Sequence, residues 1–228
     1  MRGVLTEVTW HPDPAALNPS RAARRPCRYS TFTPDLLAGR SEALAGSTIG
    51  AVSEAETAVR RLDAMAEPAL APLARLLLRT ESIASSRIEG MQVSVRALAR
   101  AEARAETGRA PGPETAEILA NVDAMDLATE RAAGAAQVGE ADLLAIHAQL
   151  MAAGGHVFAG QVRTQQNWIG GGPYNPCGAD FVPPPPEDVP RLLADLYAAI
   201  NADLLSPVVQ AAIVHAQFET IHPFADGN

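Results

Sequence analysis

The sequence predicts a mainly α-helical protein, on three observations. Aromatic residues make up only 4% of the 228 residues, while Ala is abundant, a composition that suits thin, closely packed helices better than a strand-built core. Apolar residues recur at helical spacing through most of the chain, with Pro- and Gly-rich stretches between them. Hydrophobic residues at 47% against 19% charged ones are the balance of a folded globular chain.

Residues 1–33 hold Pro12, Pro14, Pro19 and Pro26 together with Arg21, Arg24, Arg25 and Arg28. That composition breaks helices and predicts an extended or partly mobile N-terminal arm. Residues 41–65 read as a first helix, ended at Glu67-Pro68 because the residue before proline is steered out of the α region. A second helix is expected from Pro68 to a C-cap at Gly90, with Leu70, Leu73, Leu77 and Ala84 on an apolar face and Ser82, Ser85 and Glu89 on a polar stripe. Residues 94–105 and 114–133 form two further helices around a loop marked by Gly108, Pro111, Gly112 and Pro113, and 140–153 form a fifth.

Beyond Gly154-Gly155 the texture changes. Residues 165–169 and 179–182 read as short strands on either side of Gly170-Gly171-Gly172-Pro173, predicting a β-hairpin. Pro183, Pro184, Pro185 and Pro186 cannot continue a sheet and lead into a helix at 187–202. Ser206 and Pro207 supply an N-cap and first-turn proline for the last helix, 207–221. That helix is apolar almost all round, which predicts a place at the centre of a bundle.

Composition also excludes chemistry. All 18 basic residues are Arg, so there is no P-loop lysine, kinase lysine or Schiff-base lysine. The formal charge of −8 repels a phosphate backbone, and no basic recognition helix is present, so nucleic acid is not an expected partner of this part of the chain. Cys27 and Cys177 follow neither CxxC nor Cys/His ligand spacing, so no disulfide framework or zinc site is expected and a reducing compartment fits. The first residues lack the flanks of a signal peptide and no run approaches the ~18 apolar residues of a membrane span, so the expected location is cytoplasmic.

Two polar groupings on the last helix could carry chemistry. His215, Glu219 and His222 share a face and could converge on a metal, but no HExxH pattern accompanies them, and His215 is expected to serve in core hydrogen bonding. The segment from His222 to Asn228, HPFADGN, sets an imidazole at a helix end, an aromatic anchor at Phe224, a carboxylate at Asp226 and then Gly227-Asn228. Those types serve phosphoryl or nucleotidyl transfer as base, packing anchor, Mg²⁺ ligand and source of backbone amides.

HPFADGN resembles the Fic motif, HPFx[D/E]GNGRxxR, in every residue present; the chain stops before the Gly-Arg and second Arg. Ser85-Ser86-Arg87-Ile88-Glu89-Gly90 resembles the inhibitory-helix motif, [S/T]xxxE[G/N], of the class in which that helix precedes the catalytic motif. Asn167-Trp168-Ile169-Gly170 and Phe181-Val182-Pro183-Pro184 resemble the flap hairpin and its exit. The likeness covers roughly residues 29–228, and three separated matches in order are far more specific than one.

The resemblance implies a Fic-type helical bundle with a β-hairpin flap before the central motif helix. It implies an arm at 1–33, a helical region at 34–110 carrying an inhibitory helix at about 68–90, and a Fic core at 111–228 with its flap at about 165–183. It also implies transfer of AMP from ATP to a Ser, Thr or Tyr hydroxyl of a target protein. His222 is then the base, Asp226 the Mg²⁺ ligand, and Phe224, Ala225, Gly227 and Asn228 the ATP and phosphate site. Glu219 stands behind His222; Trp168, Ile169 and Gly170 present the flap to an unidentified target. Glu89, framed by Ser85 and Gly90, restrains activity by occupying the space of the ATP γ-phosphate. Relatives of this kind often self-associate, so a homo-oligomer is compatible with it.

With the motif cut at Asn228, these 228 residues are expected to be nearly inactive and to be a piece of a longer protein. The alternatives are removal of AMP, another Fic-type phosphotransfer, or a non-catalytic interaction domain that keeps the motif.

Overall fold

Helices dominate the observed architecture. The computed structural model describes residues 2–12, 25–39, 44–65, 71–88, 94–106, 108 and 110–228. In chain order the elements are β1 (Gly3–Trp10), β2 (Cys27–Pro34), α1 (Gly46–Met65), α2 (Ala71–Ile88), α3 (Val95–Glu106), α4 (Pro113–Gly134), α5 (Glu140–Leu150), α6 (Val189–Ile200) and α7 (Pro207–Ile221). No described helix is long and apolar enough to cross a membrane. Two compact units result: one from 1–42, 162–226 and 228, the other from 43–161 and 227. Within the second unit α4 packs against α2, α3 and α5.

In the first unit, the segment expected to be an extended or partly mobile arm is extended in two stretches that pair with each other. β1 and β2 run antiparallel, with Gly3 opposite Pro34, Leu5 opposite Phe32 and Trp10 opposite Cys27. The physical reason is that Val4, Thr6, Val8, Thr31 and Thr33 favour a pleated strand, whereas the helix-breaking prolines at 12, 14, 19 and 26 lie between the two strands. β2 continues into a turn held by α6, where the Asp195 carboxylate accepts from the amides of Leu37 at 2.6 Å and Ala38 at 3.1 Å. Fully buried Gln217 of α7 donates to the Asp35 carbonyl at 3.0 Å, fixing the same strand end.

α6 buries Val189, Leu192, Leu193 and Leu196, the i, i+3, i+4, i+7 face of an amphipathic helix. Gln210 of α7 donates to the Ala199 and Ile200 carbonyls, satisfying the end of α6 that the helix itself cannot. α7 departs from the expected all-round burial. Val209, Gln217 and Ile221 are buried, whereas Ala211, Ala212, His215 and Ala216 are exposed. Among its exposed apolar residues, Ala211, Ala212 and Ala216 are small and gain little from burial, so one stripe suffices to seat it on α6 and β2. Ser206 has the extended backbone of an N-cap, yet its side chain makes no capping bond.

The second unit has a core of Ile83, Leu98, Ile118 and Val122, with Leu119 packed against it. α2 turns a different face inward from the expected one. Leu73 and Leu77 are 51% and 62% exposed, and Ala84 is exposed, while Ser82 is fully buried with its hydroxyl 3.1 Å from Met125 Sδ. A small hydroxyl that finds a soft acceptor can be buried against a neighbouring helix where a longer side chain could not. The expected start of this helix at Pro68 and its C-cap at Gly90 lie outside the described residues.

Candidate active site

The site is built at the C-terminal end of α7. His222 is its C-cap, with φ 48° and ψ 62°, and is the one non-glycine residue at positive φ among the described residues. This left-handed conformation costs about 1 kcal/mol or more for a residue with a Cβ and persists only where the surroundings enforce it. The enforcing groups are evident. The His222 amide donates to Phe218 O at 2.9 Å, and its carbonyl accepts from Arg163 Nε at 2.8 Å.

Arg163 is the organiser that sequence reasoning missed. It is 5% exposed, and its guanidinium donates to the carbonyls of Gln165, Pro184, Ile221 and His222. Its own amide donates to Pro223 O at 2.8 Å. Burial lowers its pKa to about 10 while the Glu187 carboxylate opposes the shift, so the group stays charged at neutral pH. One fork of donors thus collects the open helix end, the start of the motif and the exit of the flap. A signal did exist in the sequence: Arg163 is the only Arg between Arg131 and Arg191.

The turn after His222 is locked from both sides. Phe224 is 1% exposed and its ring lies 6.3 Å from that of Phe218. The Phe224 amide donates to Asn228 Oδ1 at 2.7 Å and its carbonyl accepts from Asn228 Nδ2 at 3.1 Å and Asn167 Nδ2 at 2.9 Å. Between these ends Ala225 and Asp226 are exposed, and Gly227 adopts φ 71°. Its left-handed φ favours glycine, and a Cβ there would lie 2.7 Å from Met151 Sδ, so that any larger residue would also displace the methionine side chain.

Burial pushes the His222 pKa below its ordinary value; the Glu219 carboxylate opposes the shift, Arg163 adds to it and Asp226 opposes it. A neutral imidazole at pH 7 is the form that accepts a proton. His222 Nδ1 is buried without a hydrogen-bond partner among the described residues. Glu219 and His215 are exposed on α7, so the expected core role of His215 is not observed; its side chain lies on the outward face.

The expected hairpin is present in reduced form. Ile169 and Phe181 make an antiparallel bridge, Gly172 and Asn175 a second, and the rest of the two arms is irregular. Positive φ at Gly170 and Gly171 prevents extended strands from continuing, and the arms approach so closely that a Cβ at Gly171 would lie 3.0 Å from Ala179 N. Trp168 Nε1 donates to the Gly172 carbonyl at 2.9 Å, and the Phe32 amide of β2 donates to Val182 O at 2.9 Å. Cys27 and Cys177 are joined as a disulfide, contrary to the expectation from spacing. Sequence spacing says nothing about cysteines 150 residues apart that tertiary structure brings together. Ser85 is exposed on α2, and Glu89 and Gly90 lie outside the described residues.

Comparison with known proteins places this geometry in context. Residues 137–228 match the Fic/DOC family and residues 49–130 match the Fic/DOC family N-terminal model. The chain is 33% identical over 90 residues to the protein adenylyltransferase fic-1 of Caenorhabditis briggsae, covering 38% of this chain and 16% of that protein. It is 34% identical over 90 residues to the protein adenylyltransferase Fic of Culex quinquefasciatus, with the same shares of 38% and 16%. The chain therefore spans about a sixth of the length of these curated relatives. The crystal structure of a Fic family protein from Desulfovibrio desulfuricans G20 superposes with a TM-score of 0.64 at 29% identity, covering 82% of this chain and 55% of that one. With two adjoining family matches covering about three quarters of its length, and with the motif turn and flap in place, the chain belongs to the Fic/DOC family.

Proposed function

We propose that the protein transfers an adenylyl group from ATP to a Ser, Thr or Tyr hydroxyl of a target protein. The observation that carries this reading is the turn at 222–228. An imidazole kept neutral by burial leads a segment whose backbone is pinned by Arg163, Asn167 and Asn228, while Asp226 stays exposed. The names of the curated relatives support it.

In this reading the target hydroxyl oxygen attacks the α-phosphorus of ATP. A phosphorus–oxygen bond forms as the bond to the β-phosphate oxygen breaks, and pyrophosphate leaves with that electron pair. His222 takes the hydroxyl proton. Asp226 suits Mg²⁺, which is commonly held by one or two carboxylates together with substrate phosphates; when bound, the ion neutralises phosphate charge. Gly227 and Asn228 offer amides to the phosphates, with Phe224 anchoring the turn from below.

The flap receives the target as an added strand. Ile169 donates its amide to the Phe181 carbonyl and its own carbonyl accepts from the amides of Asp180 and Phe181, so this edge of the arm is taken and the added strand pairs on the opposite edge, beside Trp168. Main-chain pairing of this kind positions a hydroxyl with little dependence on neighbouring side chains.

Glu89 is the proposed restraint. A carboxylate in the γ-phosphate space repels the nucleotide and competes for the Arg that would bind it. The test incubates the protein, expressed with whatever its gene encodes beyond Asn228, with α-labelled ATP, Mg²⁺ and cell extract as the source of targets. Glu89→Gly is expected to raise incorporation of label at least roughly tenfold, the effect of about 1.4 kcal/mol of relieved interference. Equal labelling by wild type and Glu89→Gly removes the restraint; no label in any variant, with the whole motif present, favours a non-catalytic interaction domain.

A further inference from the structure

The two cysteines sit where a single bond can alter the flap. Cys27 begins β2, and Cys177 lies in the turn joining the two arms of the flap. Their Cα atoms are 6.1 Å apart, inside the span a disulfide requires. Further along, the same two stretches meet again through the Phe32 amide on Val182 O and the Phe32 and Phe181 rings, 6.3 Å apart. Between these two attachments lies a cavity of about 360 Å³, lined by Tyr29, Ser30, Phe32, Gly178, Ala179 and Phe181. The flap turn is therefore clamped to β2 at both ends of a gap, and one clamp is covalent. The turn is held in addition by the Gly172 to Asn175 bridge, by Trp168 Nε1 donating to the Gly172 carbonyl, by the Asn175 side chain accepting from the Cys177 amide, and by the buried ring of Pro176. Both cysteines are partly exposed, within reach of a small thiol.

We propose that Cys27 and Cys177 form a reversible thiol–disulfide exchange site, oxidised by low-molecular-weight disulfides and reduced by the corresponding thiols, whose state sets how firmly the turn at 172–179 is held to β2. Oxidation takes two exchanges. One cysteine thiolate attacks a sulfur of the small disulfide, forming a mixed disulfide and releasing one small thiolate. The second cysteine thiolate attacks the protein sulfur of that mixed disulfide, closing the Cys27–Cys177 bond and releasing the second. The protein gives up two protons and two electrons, and one small disulfide becomes two small thiols; reduction reverses both steps. With the bond open, the turn keeps its local contacts and the Phe32 attachment, so its amides exchange with solvent more readily while the body of the unit does not change. The consequence for target docking rests on the function proposed above; the thiol chemistry does not.

The experiment equilibrates the chain in glutathione buffers from fully reduced to fully oxidised, quenches in acid, alkylates free thiols and reads peptide masses, with amide hydrogen exchange measured in parallel. The expected result is a Cys27–Cys177 linked peptide in oxidised buffer, both residues alkylated in reduced buffer, and return to either state when the buffers are swapped. Exchange at 172–179 should be roughly tenfold faster in the reduced form, and Cys27→Ser and Cys177→Ser should each show the faster rate in both buffers. The proposal is overturned by thiols that stay free in oxidised glutathione, by a bond that survives fully reduced glutathione, or by equal turn exchange in the two states. No nucleotide or target enters this experiment, so its outcome is separate from the test of adenylyl transfer.

Discussion

Replacing Arg163 by Met lowers the free energy of unfolding by at least about 3 kcal/mol, because buried carbonyls lose a charged donor and each unsatisfied acceptor costs ~1–3 kcal/mol. The Gln165, Pro184, Ile221 and His222 carbonyls all accept from this one guanidinium, and Met fills the volume of the stem without offering a donor. Urea titration should show a lower midpoint with an unchanged slope, since the folded surface is altered little. Arg163→Lys recovers only part of the loss: an ammonium cannot direct donors to carbonyls arranged around a planar fork. A midpoint for Arg163→Met equal to that of wild type would show that the carbonyls find other partners and that Arg163 does not organise the site.

His222→Ala is expected to reduce adenylyl transfer by ~10²–10⁴-fold, the range over which a positioned acid–base group contributes, while leaving stability close to that of wild type. The backbone of residue 222 is held through its amide and carbonyl, neither of which the substitution removes. His222→Gly should be as inactive as His222→Ala but more stable by about 1 kcal/mol, since glycine adopts φ 48° without the Cβ penalty. Equal stability of the two variants would mean that the left-handed conformation is not kept in solution.

The pH dependence follows from the same residue. Burial lowers the His222 pKa, so the unfolded chain binds a proton at higher pH than the folded one. The stability this contributes is fully present above the unfolded imidazole value and is lost as pH falls through the folded one. Transfer should likewise hold its plateau down past about pH 6.5, the ordinary imidazole range, and decline only below it. The decline should disappear from the residual activity of His222→Ala; its persistence there would assign it to another group.

Legibility in the sequence followed the range of the interactions involved. The helix α7, Pro207–Ile221, was readable in its start because Ser206-Pro207 is a local boundary signal, and its end was expected at about Ile221. The motif turn was readable because its residue types are contiguous. Facing was harder. Leu73 and Leu77 have the spacing of a buried stripe, yet among the described side chains of α2 the buried ones are Ser82 and Ile83. Periodicity identifies a face but not which neighbour will cover it, and packing makes that choice. The strand pair β1 and β2 was obscured by the prolines around it, although its Val and Thr residues carried the strand preference.

Local order along the chain was enough to specify a mainly helical protein, the sites of its breaks, and a His-Pro-Phe-Ala-Asp-Gly-Asn turn suited to nucleotidyl chemistry. The grip of Arg163 on Pro184 and His222, the pairing of Cys27 with Cys177, and the left-handed His222 that Arg163 holds in place arise only once distant segments meet. The reason is physical: helix periodicity and turn preference act over a few residues, whereas a buried donor or a thiol takes whatever partner folding brings within reach, and no spacing in the sequence encodes that meeting.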